Sequence, residues 1–143
     1  MIRALSNTLI ILVASALAGW ATWKIQGPPD LAITCSPADL KPGEICYADI
    51  PKENVLWIDA RPRTQWEKNG VPDSLLLTDD RHENWEDLLA EVAPRLFEAE
   101  MAVIYCDTKA CGSSEPVAQK LRALNLGPEI KVLHGGFQAL PKK

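Results

Sequence analysis

Met101-Ala102-Val103-Ile104-Tyr105 offers no polar face at any position. A strand of that kind must be covered on both sides, and the arrangement that does so is a parallel sheet with helices packed against it. The rest of the chain follows suit. Val55-Leu56-Trp57-Ile58, bounded by Pro51-Lys52-Glu53-Asn54 and by Asp59, predicts a second buried strand. Ser74-Leu75-Leu76-Leu77 and Ile130-Lys131-Val132-Leu133 predict two more. Helical signals lie between them. Pro62 to Lys68 predicts a short helix with proline in its first turn. Asn84 to Ala99 carries Trp85, Leu88, Leu89, Val92 and Leu96 at helical spacing, with Pro94 expected to kink or split it. Ser113-Ser114-Glu115-Pro116 predicts a helix start with serine as cap, and Val117, Leu121 and Leu124 mark one face. Asn125 to Gly127 end that helix ahead of Pro128, and Gly135-Gly136 turns into a short final helix. Strands alternating with helices in 143 residues, 47% of them hydrophobic, predict one α/β domain with a central, mostly parallel sheet flanked by helices.

The amino terminus is of another kind. Leu9 to Trp23 carries no charge and as a helix spans roughly 22 Å; counted from Ala4 it reaches the roughly 30 Å of a bilayer core. Two readings stand. Trp20, Trp23 and Lys24 match the interfacial end of a retained transmembrane helix. Arg3, the apolar run and Ala16-Leu17-Ala18 match a cleavable signal. Either way the remainder is expected outside the cytoplasm, as the exocytoplasmic domain of a single-pass membrane protein or exported after cleavage. The chain then divides into an anchor or signal over 1–26, a Gly/Pro linker over 27–30, and a domain over 31–143. Beyond residue 26 there are 13 basic and 19 acidic side chains, a balance that argues against a nucleic-acid partner.

Chemistry concentrates in Cys106-Asp107-Thr108-Lys109-Ala110-Cys111-Gly112-Ser113-Ser114. Cys106 follows directly on the buried strand, and a helix starts about seven residues later. Open α/β sheets bind ligands beyond the carboxyl ends of their strands. A strand–helix loop there can turn its N–H groups inward as an anion nest, to which the helix start adds partial positive charge. Such surroundings favour thiolate, and Lys109 adds a cation that Asp107 opposes. A buried structural cysteine, or a Cys106–Cys111 disulfide, is the plainer alternative.

Three blocks give the chain a family likeness. The first is Leu56-Trp57-Ile58-Asp59-Ala60-Arg61-Pro62 through Gly70-Val71-Pro72-Asp73-Ser74; the second is Val103-Ile104-Tyr105-Cys106; the third is Val132-Leu133-His134-Gly135-Gly136-Phe137-Gln138-Ala139-Leu140. In this order and spacing they resemble the rhodanese-like (sulfurtransferase) family from about Ile45 to Leu140. The resemblance implies a rhodanese-like fold, Cys106 as catalytic nucleophile, a substrate loop of Asp107, Thr108, Lys109, Ala110 and Gly112, and Asp59 and Arg61 as structural support. There are departures. Asn69-Gly70 stands where the family usually has Gly-His, and Asp73-Ser74 where it has Gly-Ala. Active members often read Cys-x-x-Gly-x-Arg; here those places hold Lys109 and Cys111. Lysine supplies charge without arginine's bidentate fork. The related phosphatases need arginine where Gly112 stands, which argues against phosphoryl chemistry.

Three functions remain open at this level. One is sulfur transfer through a Cys106 persulfide, from a small sulfur donor to a thiol or cyanide acceptor. Another is a thiol–disulfide or persulfide-reducing protein with Cys111 as resolving thiol. The third is a non-catalytic, membrane-tethered binding module, whose protein partner the sequence does not name. No cofactor is called for. His82, among Asp79, Asp80, Arg81 and Glu83, reads as a solvated loop, and no histidine spacing suggests a metal site. Trp57 and Trp66 read as core or rim packing; His134, ahead of Gly135-Gly136, could face the pocket, although a lone histidine is usually structural or exposed. Cys35 and Cys46 form a plausible disulfide in an oxidising compartment, worth on the order of 2–3 kcal/mol by chain entropy.

Overall fold

The computed structural model describes Ser15, residues 35–107 and residues 112–141. The chain divides into two compact units, Met1–Ala32 and Ile33–Lys143. In the first, Ser15 is helical; the anchor or signal expected over 1–26 and the linker over 27–30 otherwise lie outside the described residues. Among the described residues no helix is long and apolar enough to cross a membrane.

The second unit is built on five parallel strands: β1 (Glu44–Ile45), β2 (Val55–Asp59), β3 (Leu75–Leu76), β4 (Met101–Tyr105) and β5 (Glu129–Leu133). Their spatial order is β1-β5-β4-β2-β3, so the unbroken apolar strand β4 is central. Its residues 102–105 are all buried, as a strand covered on both faces requires. Three helices connect the strands: α1 (Arg63–Asn69), α2 (Trp85–Glu98) and α3 (Ser114–Leu124). Helices α2 and α3 cover one face. Leu88, Val92 and Leu96 of α2 and Val117, Ala118 and Leu121 of α3 meet Leu56, Ile58, Ala102, Ile104 and Val132. Each of these leucines, isoleucines and valines contributes roughly 1.5–3 kcal/mol by leaving water. On the other face, Ile45, Val103, Tyr105 and Leu133 pack against Ile50, Trp57, Val71 and Phe137, contributed largely by loops and short 3-10 turns. The helices therefore flank the sheet on one side and 3-10 turns, Tyr47–Asp49 and Gly136–Ala139, on the other.

Several details differ from the sequence reading. Helix α2 is continuous across Pro94. Pro94 and Ala90 are both exposed, so the carbonyl that loses its helical partner faces water. Ser113 occupies the N-cap of α3 without a side-chain cap bond, because its backbone is already helical there. Leu124 is 44% exposed at the last turn of α3, and Leu126, past the left-handed Asn125, packs on the core instead. Strand β1 has no counterpart in the sequence reading; two residues leave no period to detect.

Candidate functional site

Because every strand is parallel, all five end on one rim, and the register sets which residues meet there. Ile104 lies opposite Val132 and Asp59 opposite Tyr105. One step further, Cys106 stands between Ala60, after β2, and His134, after β5. Ile45 pairs with Leu133, so Cys46 follows on the far side of His134.

Cys106 is 3% exposed at the end of the central strand. Its Sγ accepts a hydrogen bond from Ser114 Oγ at 3.4 Å. Ser114 is the first residue of α3, so the sulfur sits at that helix's amino end. A donated hydroxyl and a helix start both favour the charged form of sulfur. The Cys106 carbonyl accepts from the Phe137 N–H at 2.6 Å. That contact requires the chain to reverse tightly after β5, which Gly135 and Gly136 permit at φ of 82° and 60°.

Behind Cys106 lies a buried ion pair. Asp59 and Arg61 are 0% and 2% exposed. Arg61 donates from Nε to Asp59 Oδ1 and Oδ2 at 3.0 and 3.1 Å, from Nη2 to Oδ2 at 2.8 Å, and from its main-chain N–H to Oδ1 at 2.9 Å. Nη1 reaches Asn69 Oδ1 at the end of α1, at 3.2 Å. The guanidinium carbon lies 4.0 Å from the Phe137 ring centroid and 5.4 Å from that of Tyr105. Burial works against the arginine's charge, but the Asp59 hydrogen bonds and charge outweigh it and hold its pKa above the ordinary value. The pair thus ties the loop after β2 to α1 and to the turn that carries Phe137. Burial, against the pull of hydrogen bonds from Ser74 and the Val71 N–H, pushes the Tyr105 phenol up to about 12.

The remaining expected site residues fall as follows. Asp107 and Gly112 are exposed, and Gly112 has open space where a Cβ would stand. Thr108, Lys109, Ala110 and Cys111 lie outside the described residues, and with them the anion nest and the Cys106–Cys111 separation. Cys35 and Cys46 are joined as a disulfide, Cα atoms 5.7 Å apart. His134, read as structural or exposed, is buried, with Nδ1 2.8 Å from Glu44 Oε2. His82 is exposed beside Asp80. Among the described residues no group of three or more His, Cys, Asp or Glu is placed to hold a metal ion. The sequence reading missed two partners, Ser114 on the sulfur and Glu44 on His134. Ser114 carried a signal, a serine in the first turn after the cysteine loop; Glu44, on a two-residue strand, carried none.

The family model of the rhodanese-like domain matches residues 44–143. No curated protein matches the chain. Among solved structures, the BH2092 protein from Bacillus halodurans is 21% identical, with a TM-score of 0.51 over 65% of this chain and 66% of that one. The N-terminal domain of a Clostridium difficile 630 protein named for ATP/GTP binding is 16% identical, with a TM-score of 0.47 over 67% of this chain and 94% of that one. The first likeness concerns fold alone. The family match covers most of the chain, from the edge strand β1 to the carboxyl terminus, and over that span the chain belongs to the rhodanese-like domain family.

Proposed function

We propose that this domain is a sulfurtransferase that carries sulfane sulfur on Cys106. The observation that carries the reading is the position of Cys106: buried at the end of the central strand, at the amino end of α3, with the Ser114 hydroxyl donating to its sulfur. In the first step the Cys106 thiolate attacks the outer sulfur of a thiosulfonate such as thiosulfate. An S–S bond forms to Cys106, the donor's S–S bond breaks, and sulfite leaves with that electron pair. In the second step a thiol or cyanide attacks the outer sulfur, and the Cys106 thiolate returns as leaving group. The loop N–H groups and Lys109 hold the anionic donor and the persulfide. The test is thiocyanate production from thiosulfate and cyanide by the full-length chain. Activity should be lost in Cys106→Ser, whose hydroxyl is a far weaker nucleophile at neutral pH; equal turnover by that variant refutes the reading.

The domain acts outside the cytoplasm, held by the amino-terminal apolar segment as a single-pass anchor. The Cys35–Cys46 disulfide supports this, since such bonds persist in oxidising compartments. A carboxyl-terminal reporter active only after export should be active on this chain, and a reporter active only in the cytoplasm should be silent.

A further inference from the structure

Beside Cys106 on the rim stands a histidine the sulfur chemistry above does not use. His134 follows β5 directly, as Cys106 follows β4, and the register carries Ile104–Val132 on to Cys106–His134. Neighbouring strands lie about 4.8 Å apart, so the two backbones are adjacent. Their side chains point the same way. Glu44 lies opposite Val132 on β1, and the His134 ring meets Glu44, so His134 shares the face of Val132. Cys106 meets Ser114 of α3, and α3 packs on that same face through Val117, Ala118 and Leu121. The imidazole is 1% exposed, and its Nδ1 is held 2.8 Å from Glu44 Oε2. That oxygen also accepts from the Lys41 N–H at 3.0 Å.

We propose that Glu44 and His134 form a positioning pair for Cys106: Glu44 fixes the ring through Nδ1, and the imidazole so oriented beside the sulfur favours its thiolate. A carboxylate on one ring nitrogen sets the orientation and charge of the other. Burial alone would raise the Glu44 pKa, but the hydrogen bonds from His134 and the Lys41 N–H prevail and hold it below the ordinary value, so Glu44 is a carboxylate at neutral pH. Among the described residues, the other charged groups nearby are Lys41, which faces Glu44, Asp107, exposed directly after Cys106, and Lys120 of α3, which pairs with Asp79. Arg122 of α3 lies on the Ile130 and Gly43 carbonyls and pairs with Glu115. Arg61 is paired with Asp59, and Lys131 with Glu129 at the opposite end of β5.

The inference rests on Cys106 being the reacting thiol, but its test needs no sulfur donor. In the full-length chain, the rate of Cys106 alkylation by iodoacetamide is followed against pH. Trypsin separates the two loop cysteines, because Lys109 divides the peptide Leu96–Lys109 from Ala110–Lys120. His134→Gln keeps an amide donor for Glu44 and removes the imidazole. It should move the midpoint of the profile upward by about one pH unit, about tenfold less thiolate below the midpoint. An unchanged midpoint overturns the proposal and leaves His134 as a strap between β1 and β5. Should the variant fail to fold, the wild-type chain carries the test. Its two histidines give two ring signals by NMR. Blocking Cys106 as a neutral thioether should lower the titration midpoint of His134 and leave His82 in place, because coupling between two sites is reciprocal. No movement of either signal overturns the proposal. Failure of sulfur uptake with the coupling intact counts against the sulfurtransferase reading, not against the pair.

Discussion

Replacing Asp59 by asparagine probes the frame behind Cys106. The substitution keeps the volume and one acceptor, but leaves the Arg61 guanidinium, 2% exposed, without its counter-charge. Three side-chain hydrogen bonds and one from the main chain converge on that carboxylate at 2.8–3.1 Å. Breaking a buried pair from one side costs about 3–5 kcal/mol, because the orphaned charge stays behind. Domains of this size hold about 5–15 kcal/mol in all, so the loss is a large share of the total. At about 4 °C per kcal/mol for a domain near 100 residues, the thermal midpoint should fall by about 12–20 °C. Chemical denaturation by circular dichroism should show the same loss with an unchanged slope. Arg63→Ala is the internal control. Its Glu83 pair has side chains 42% and 17% exposed, and its removal should leave the midpoint nearly in place. Asp59→Asn combined with Arg61→Met should cost less than Asp59→Asn alone, since no buried charge remains. If Asp59→Asn behaves like the control, the pair does not hold the loops together and the account of the frame is wrong.

Ser114→Ala should slow Cys106 alkylation at neutral pH by about fivefold, the loss of one hydrogen bond of about 1 kcal/mol to the thiolate, without moving the thermal midpoint by more than a few degrees; an unchanged rate would show that the hydroxyl does not act on the sulfur. Tyr105 has a folded pKa of about 12 against 10.0 unfolded. Its contribution is therefore complete below pH 10 and lost as pH rises through 12, so alkaline unfolding should set in within that window and shift upward in Tyr105→Phe. For Glu44 the sign is opposite. Its pKa is depressed from 4.5, so its contribution is present above that value and lost as pH falls below it. Glu44→Gln should flatten the acid limb of the stability curve there.

How much of this is legible in the sequence depends on periodicity. Strand β4 is readable because five consecutive residues avoid charge, and its centrality follows from the burial that this demands. Helix α2 is readable from Leu88, Val92 and Leu96 at intervals of four. The position of Cys106 comes with β4. Strand β1 is not readable, since Glu44 and Ile45 owe their extended pairing to β5 and not to their own preference. The Glu44–His134 contact joins residues 90 apart, and no local pattern encodes it. Ser114 looks like cap chemistry in sequence, yet its hydroxyl turns to the sulfur because α3 starts beside the end of β4. Pro94 misleads in the other direction: a breaker by composition, it is tolerated where its lost bond faces water.

The central claim is that Cys106 takes up sulfur. The full-length chain is exposed to thiosulfate, its persulfides are capped with iodoacetamide, and tryptic peptides are weighed. The account predicts one added sulfur atom on Leu96–Lys109, absent in Cys106→Ser and retained in Cys111→Ser. Sulfur found only on Ala110–Lys120, or on neither peptide, would contradict it.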